Sequence, residues 1–218
     1  MKAAYFTPEN ISIQAQVFLG GIERKKSAPP FEWKQAALLV LDMQRYFLEP
    51  GAHAYIPSAP AILPNLQNLI AAFEQYHRPV FFTRHLNTSE NAEAMAHWWH
   101  DLIRAENPLS ALTPELTTGE HPVLIKSQYD AFHQTDLETL LGQQNIQQVV
   151  VSGVMTHLCC ESTARTAFVR GFQVFFLVDG TATYNQDFHH ATLLNLAHGF
   201  ATAMLTQELL EAFTKDES

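Results

Sequence analysis

Apolar residues along this chain cluster in short unbroken runs separated by longer stretches of mixed pattern. The runs are Ala36–Leu41 (AALLVL), Pro79–Thr83 (PVFFT), His121–Lys126 (HPVLIK), Gln147–Val151, Gln173–Asp179 (QVFFLVD) and Ala203–Leu205. Continuous apolarity over so few residues marks a strand buried on both faces, as in a parallel sheet. Between the runs the apolar spacing turns helical. Ile62, Leu66, Leu69, Ile70 and Phe73 lie on one face of Pro60–Tyr76, and further helices are predicted over Thr135–Gln143, Glu161–Arg170, Phe188–Phe200 and Gln207–Phe213. Strand–helix alternation predicts an α/β fold, a parallel sheet covered by helices on both sides.

Two stretches break this rhythm. Residues 1–35 are polar and carry the basic run Arg24-Lys25-Lys26 and the pair Pro29-Pro30. They read as an N-terminal arm or irregular lead-in, placed to pack on a neighbouring subunit, with 36–218 as a single domain. Residues 84–120 form an excursion longer than an ordinary connection, the usual setting for a lid or binding loop.

Composition narrows the partners. A chain of 218 residues, 47% of them hydrophobic, can bury one sizeable core. A formal charge of −9 argues against a nucleic-acid or anionic-membrane partner. No apolar run approaches the ~18 residues of a membrane span. The opening MKAAYFTPENISIQ lacks the layout of a secretory signal, so a cytoplasmic location is expected. The two cysteines, Cys159 and Cys160, are sequence neighbours, which disfavours a bridge between them and fits a reducing compartment.

Three predicted strands end in polar residues of complementary chemistry. Asp42 follows ALLVL, Lys126 ends HPVLI, and Cys159 lies just past a run that stops at Ser152-Gly153. Ligands of open α/β sheets bind at the carboxyl ends of strands, so the three side chains converge if the strands are neighbours. A thiol at a strand–helix junction, near an ammonium and backbone N–H groups, is favoured as thiolate. Asp42 can take the thiol proton and return it to a leaving amine, Lys126 can hold the charges, and the 153–159 loop can receive an oxyanion. Each residue alone also has an ordinary reading: a buried small hydrophobe for Cys159, a turn former for Asp42, a solvated cation for Lys126.

The segments LLVLDMQRYF, VLIKSQYDAF and SGVMTHLCCESTARTAFVRGFQVFFLVDGTAT closely resemble the isochorismatase-like hydrolases, which include nicotinamidases, N-carbamoylsarcosine amidohydrolase and isochorismatases. The resemblance spans roughly 36–213. It implies a three-layer Rossmann-like fold with a six-stranded parallel sheet of order 3-2-1-4-5-6. By position it implies Asp42, Lys126 and Cys159 as catalytic residues, a cis peptide at Val154–Met155, and an oxyanion hole from the backbone N–H groups of Met155 and Cys159. A homo-oligomer, dimer or tetramer, is usual in the family. Isochorismatases proper lack a cysteine at the nucleophile position, so Cys159 points to hydrolysis of an amide or carbamoyl C–N bond in a small molecule. The alternatives are vinyl-ether hydrolysis with Asp42 as acid, and a non-catalytic binding protein on the same fold. Nicotinamidases carry an Asp-x-His metal motif after the first strand; IPSAPAILP and TRHLN contain none, so no metal or other cofactor is expected.

Further pocket candidates follow from position. Gln44 is two residues past Asp42, placed to bind substrate or cap the next segment. Phe47 offers an apolar wall or core packing. Arg84 and His85 follow the second strand, and Arg84 suits a substrate carboxylate or a surface ion pair. Trp98 and Trp99 can close over a flat substrate or sit at a subunit interface. Tyr129 follows Lys126 at loop spacing. His157, two residues before Cys159, offers a Cys-His pair.

Overall fold

In the computed structural model six strands form one all-parallel sheet, ordered β3-β2-β1-β4-β5-β6. They are β1 (Ala36–Leu41), β2 (Val80–His85), β3 (Val123–Lys126), β4 (Gln148–Val154), β5 (Gln173–Ala182) and β6 (Thr202–Met204). The structure describes residues 1–25, 27–99 and 101–214. Lys26 of the basic run, His100 of the excursion and residues 215–218 lie outside the described residues.

All six residues of β1 are fully buried. At ~1.5–3 kcal/mol for each fully buried aliphatic side chain, Leu38, Leu39, Val40 and Leu41 make this strand the energetic centre of the sheet. The edge strand β3 differs, with Val123 and Ile125 39% and 51% exposed. The sheet order reverses between β1 and β4, which opens a crevice at their carboxyl ends.

β4 continues through Ser152 and Gly153 to Val154, past the stop read from the sequence. Gly153 permits this. Its φ is +102°, and a Cβ there would lie 2.1 Å from the Leu41 carbonyl oxygen, so only glycine lets the strands approach this closely. β5 likewise runs past Asp179 to Ala182.

Eight helices flank the sheet among the described residues. They are α1 (Ile11–Gly20), α2 (Arg45–Leu48), α3 (Ala59–Gln75), α4 (Met95–Trp98), α5 (Leu137–Gln143), α6 (Glu161–Val169), α7 (Gln186–Gly199) and α8 (Thr206–Thr214). Residues 1–35 are more ordered than an irregular lead-in. Ile11, Ala15 and Phe18 bury one face of α1, while Ile13 and Val17 point outward. Tyr5, Phe6 and Phe18 gather around His189 of α7, so the segment packs on its own chain.

Candidate active site

The crevice floor is built at three strand ends. Asp42 follows β1 with a positive φ of 51°, a conformation that non-glycine residues adopt at a cost of ~1–3 kcal/mol and that clusters at functional sites. Thr83 on β2 pins it by donating to Asp42 Oδ1 at 2.6 Å and accepting from the Asp42 N–H at 3.1 Å. Lys126 ends β3, one strand beyond β2, and its long stem brings Nζ to 2.7 Å from Asp42 Oδ2 with both side chains wholly buried. Cys159 lies in a single π-helical turn, Thr156–Cys160, between β4 and α6. Lys126 Nζ donates to Cys159 Sγ at 3.4 Å and to the Gln128 carbonyl at 2.8 Å. The Val154–Met155 peptide is cis.

Electrostatics fixes the resting charges. Burial works against the Lys126 ammonium, but Asp42 and Cys159 outweigh it and hold its pKa above the ordinary lysine value. Burial and then the Asp42 charge push the Cys159 thiol up to about 12, against the pull of Lys126. The resting group is therefore a neutral thiol, unlike the thiolate expected from position. Burial beside a carboxylate penalises a second anion more than one ammonium rewards it. His85 is neutral too: burial and Lys126 bring it down to about 4. Its Nε2–H donates to Asn87 Oδ1 at 2.8 Å, which leaves Nδ1 to accept from Lys126 at 3.4 Å.

Above Cys159 lies a cavity of about 70 Å³. A single water needs ~10–15 Å³ of such space, so the cavity holds several waters and suits a small substrate. Phe47, Tyr46, Leu158, Met155 and Tyr184 form the sides. The excursion supplies the roof: Trp99 Nε1 donates to Tyr129 Oη at 2.5 Å, and Tyr46 Oη donates to Asp101 Oδ2 at 2.5 Å.

Of the residues expected here, the structure gathers Phe47, His85, Trp99, Tyr129, Met155 and Cys159 around the cavity. It does not bring Gln44, Arg84, Trp98 or His157 into the lining. Gln44 is fully buried and spends its amide on the His85 N–H, the His85 carbonyl and the Ser110 carbonyl, tying the excursion to β2. Arg84 donates to the Ser110 carbonyl and Oγ, so it anchors the same loop rather than waiting for a carboxylate. Trp98 is 75% exposed on the outside of α4. His157 stacks on Phe188 and pairs with Thr183 Oγ1 through Nδ1. Sequence reading missed Thr83, Tyr46, Asn87, Asp101 and Tyr184. Thr83 carries the signal used for its neighbours, a polar residue on an apolar strand; Tyr46 sits in the one-turn helix α2 and the others in loops, whose paths only the fold defines. A metal does not fit: both His85 nitrogens are engaged, one of them facing an ammonium, and no cluster of three His, Cys, Asp or Glu side chains stands ready among the described residues.

Comparison with known proteins places this geometry. The Isochorismatase domain family matches residues 36–208. Nicotinamidase 3 of Arabidopsis thaliana is 42% identical over 173 residues, covering 77% of this chain and 83% of that protein. Enterobactin synthase component B of Escherichia coli is 30% identical over 188 residues, 84% of this chain but 65% of that longer protein. A cysteine hydrolase from Pseudomonas syringae pv. phaseolicola superposes with a TM-score of 0.82 at 24% identity, over 87% of this chain and 99% of that one. On sequence and fold together, the chain belongs to the isochorismatase family of hydrolases.

Proposed function

We propose that the protein is a cysteine amidohydrolase that cleaves the C–N bond of a small uncharged amide or carbamoyl compound. The observation that carries this is the buried Asp42–Lys126–Cys159 contact, with Cys159 facing the cavity. Asp42 and Cys159 both contact Lys126 Nζ, and Asp42 takes the thiol proton as Sγ attacks the carbonyl carbon. The oxyanion is received by the N–H groups of Met155 and Cys159; those of Leu158 and Cys160 are spent on the Met155 carbonyl. Collapse breaks the C–N bond, and Asp42 returns the proton to the departing amine. Water then gives a proton to Asp42 and attacks the thioester. The acid leaves and the thiol is restored with that proton. Throughout, Lys126 keeps Asp42 and the transient thiolate in place. A neutral resting thiol suits this order, because the charge appears only when substrate is there to use it.

No Arg or Lys side chain is among the residues lining the cavity, and Arg84 is occupied elsewhere, which favours an uncharged substrate over a carboxylate-bearing one. The 42% identical relative is named a nicotinamidase, which makes nicotinamide the first substrate to try. Ammonia release from nicotinamide, carbamoylated amino acids and ureides, beside turnover of isochorismate, tests the reading. Replacing Cys159 by Ala is expected to remove ~10⁴-fold or more of the amidase rate. A Cys159→Ala protein that keeps its activity, or wild type active on isochorismate alone, would favour the vinyl-ether alternative. We further propose that residues 1–35 work as part of the same domain as 36–218, and that the protein is a cytoplasmic homo-oligomer. Outward-facing Ile13, Val17 and Val169 support the assembly, and light scattering measures it. No helix among the described residues is long and apolar enough to cross a membrane.

A further inference from the structure

The Isochorismatase match begins at residue 36, so the family pattern assigns nothing to the opening residues of the chain. Yet Met1–Phe6 runs along the site. Lys2 Nζ donates to the His53 carbonyl at 2.5 Å and lies 4.7 Å from the Tyr184 ring centroid, and both residues line the cavity. The Ala3 N–H donates to the Tyr184 carbonyl at 2.8 Å. The N–H groups of Tyr5 and Phe6 both reach Ser58 Oγ, at 2.9 and 3.1 Å.

The deepest member is Tyr5. Its hydroxyl accepts from the Thr183 N–H at 3.0 Å and shares a hydrogen bond with His189 Nδ1 at 2.9 Å. The same Nδ1 lies 3.2 Å from Thr156 Oγ1, so Tyr5 reaches Thr156 through His189. Thr156 opens the turn that ends in Cys159 and Cys160. The side chain of Thr183 in turn holds His157, the second residue of that turn, at 2.6 Å. One phenol therefore joins the two attachments that anchor the front of the turn. Tyr5, Thr156, Thr183 and His189 are all buried, so no solvent can replace a lost bond.

We propose that Tyr5 is a positioning residue for the turn that carries Cys159, its hydroxyl fixing Thr156–Cys160 in register with Asp42 and Lys126. The proposal rests on the reading of Cys159 as nucleophile. It adds that the turn is held from outside the family core. A five-residue turn has few internal bonds to define it, and a misplacement of about 1 Å at a reacting atom can cost ~100-fold in rate.

Tyr5→Phe removes the hydroxyl but keeps the ring contacts with Phe6, Phe18 and His189. The test measures alkylation of Cys159 by iodoacetamide across pH, by intact mass, with Cys159→Ala as the blank for Cys160. Ammonia release from nicotinamide is followed in parallel. The expected result is a ~10- to 100-fold fall in kcat with KM changed less than ~3-fold, and a displaced alkylation profile. An unchanged profile and unchanged kcat, with only a lower melting temperature, overturn the proposal. Should Tyr5→Phe fail to fold, Thr156→Val breaks the same node from the other side under the same readouts. Wild type inert toward nicotinamide counts against that substrate, while the alkylation comparison still decides for or against Tyr5.

Discussion

The floor and the roof of the cavity are built by opposite means. The floor takes Asp42, Thr83, Lys126 and His85 from strand ends, all buried and all bonded to one another. The roof comes from the part of the 84–120 excursion around α4, which leaves Trp98 in solvent; Gln44 and Arg84 anchor the excursion at Ser110, but above the cavity Trp99 and Asp101 each reach the walls by a single hydrogen bond. A buried ion pair broken on one side costs ~3–5 kcal/mol, whereas one ordinary hydrogen bond nets ~1 kcal/mol. The chemistry is thus mounted where displacement is expensive, and selection where it is cheap. A cavity of about 70 Å³ under such a roof suits a small substrate, to which the walls near Trp99 and Asp101 can adjust at little cost.

The largest test of this contrast uses two glycines. Gly153→Ala puts a methyl group into the Leu41 backbone beside the floor, so a loss above ~4 kcal/mol or failure to fold is expected in urea titration. Gly51→Ala has a comparable φ of +90° but nothing within 4 Å, so only the ~1 kcal/mol conformational penalty is expected. Equal losses would break the distinction. Acid is the next lever. His85 and His189 are held down to about 4 and about 3 in the folded chain, against ~6.5 unfolded, so the unfolded state binds more protons between those values. Stability is therefore full above pH ~6.5 and falls as pH drops toward 3–4, by on the order of 3 kcal/mol for each ring. Urea midpoints at pH 8, 6 and 4 measure it, and a flat series would contradict the buried neutral imidazoles. The smallest effect belongs to the roof. Trp99→Phe removes the bond to Tyr129 and should raise KM by ~5-fold with kcat nearly unchanged in steady-state kinetics.

The central strands and the floor were legible because β1 and the Val149–Val151 run of β4 are apolar throughout, and the polar residues near the strand ends interrupt that pattern abruptly. Helix α1 was not, since Ile13 and Val17 on its outer face are as apolar as Ile11 and Phe18 on its inner one, which erases the stripe that marks a surface helix. Gln44 and Arg84 looked like ligands because their partner, Ser110, lies far along the chain and only the folded excursion brings it near. The resting state of Cys159 escaped for a similar reason. Position places a cation beside it, but the balance between burial, Asp42 and Lys126 needs coordinates.

One detail of the sheet reaches beyond the resting structure. Lys126 ends the short edge strand β3, whose side chains at Val123 and Ile125 face solvent and whose only sheet neighbour is β2. Edges of this kind fray at free energies well below that of global unfolding. Fraying that starts at Val123 has to stop at Lys126, whose ammonium is buried against Asp42, so the ion pair clamps the last residue of the border strand. Catalysis is then expected to persist in dilute denaturant until that pair parts, and the border of the sheet marks the protein's working range.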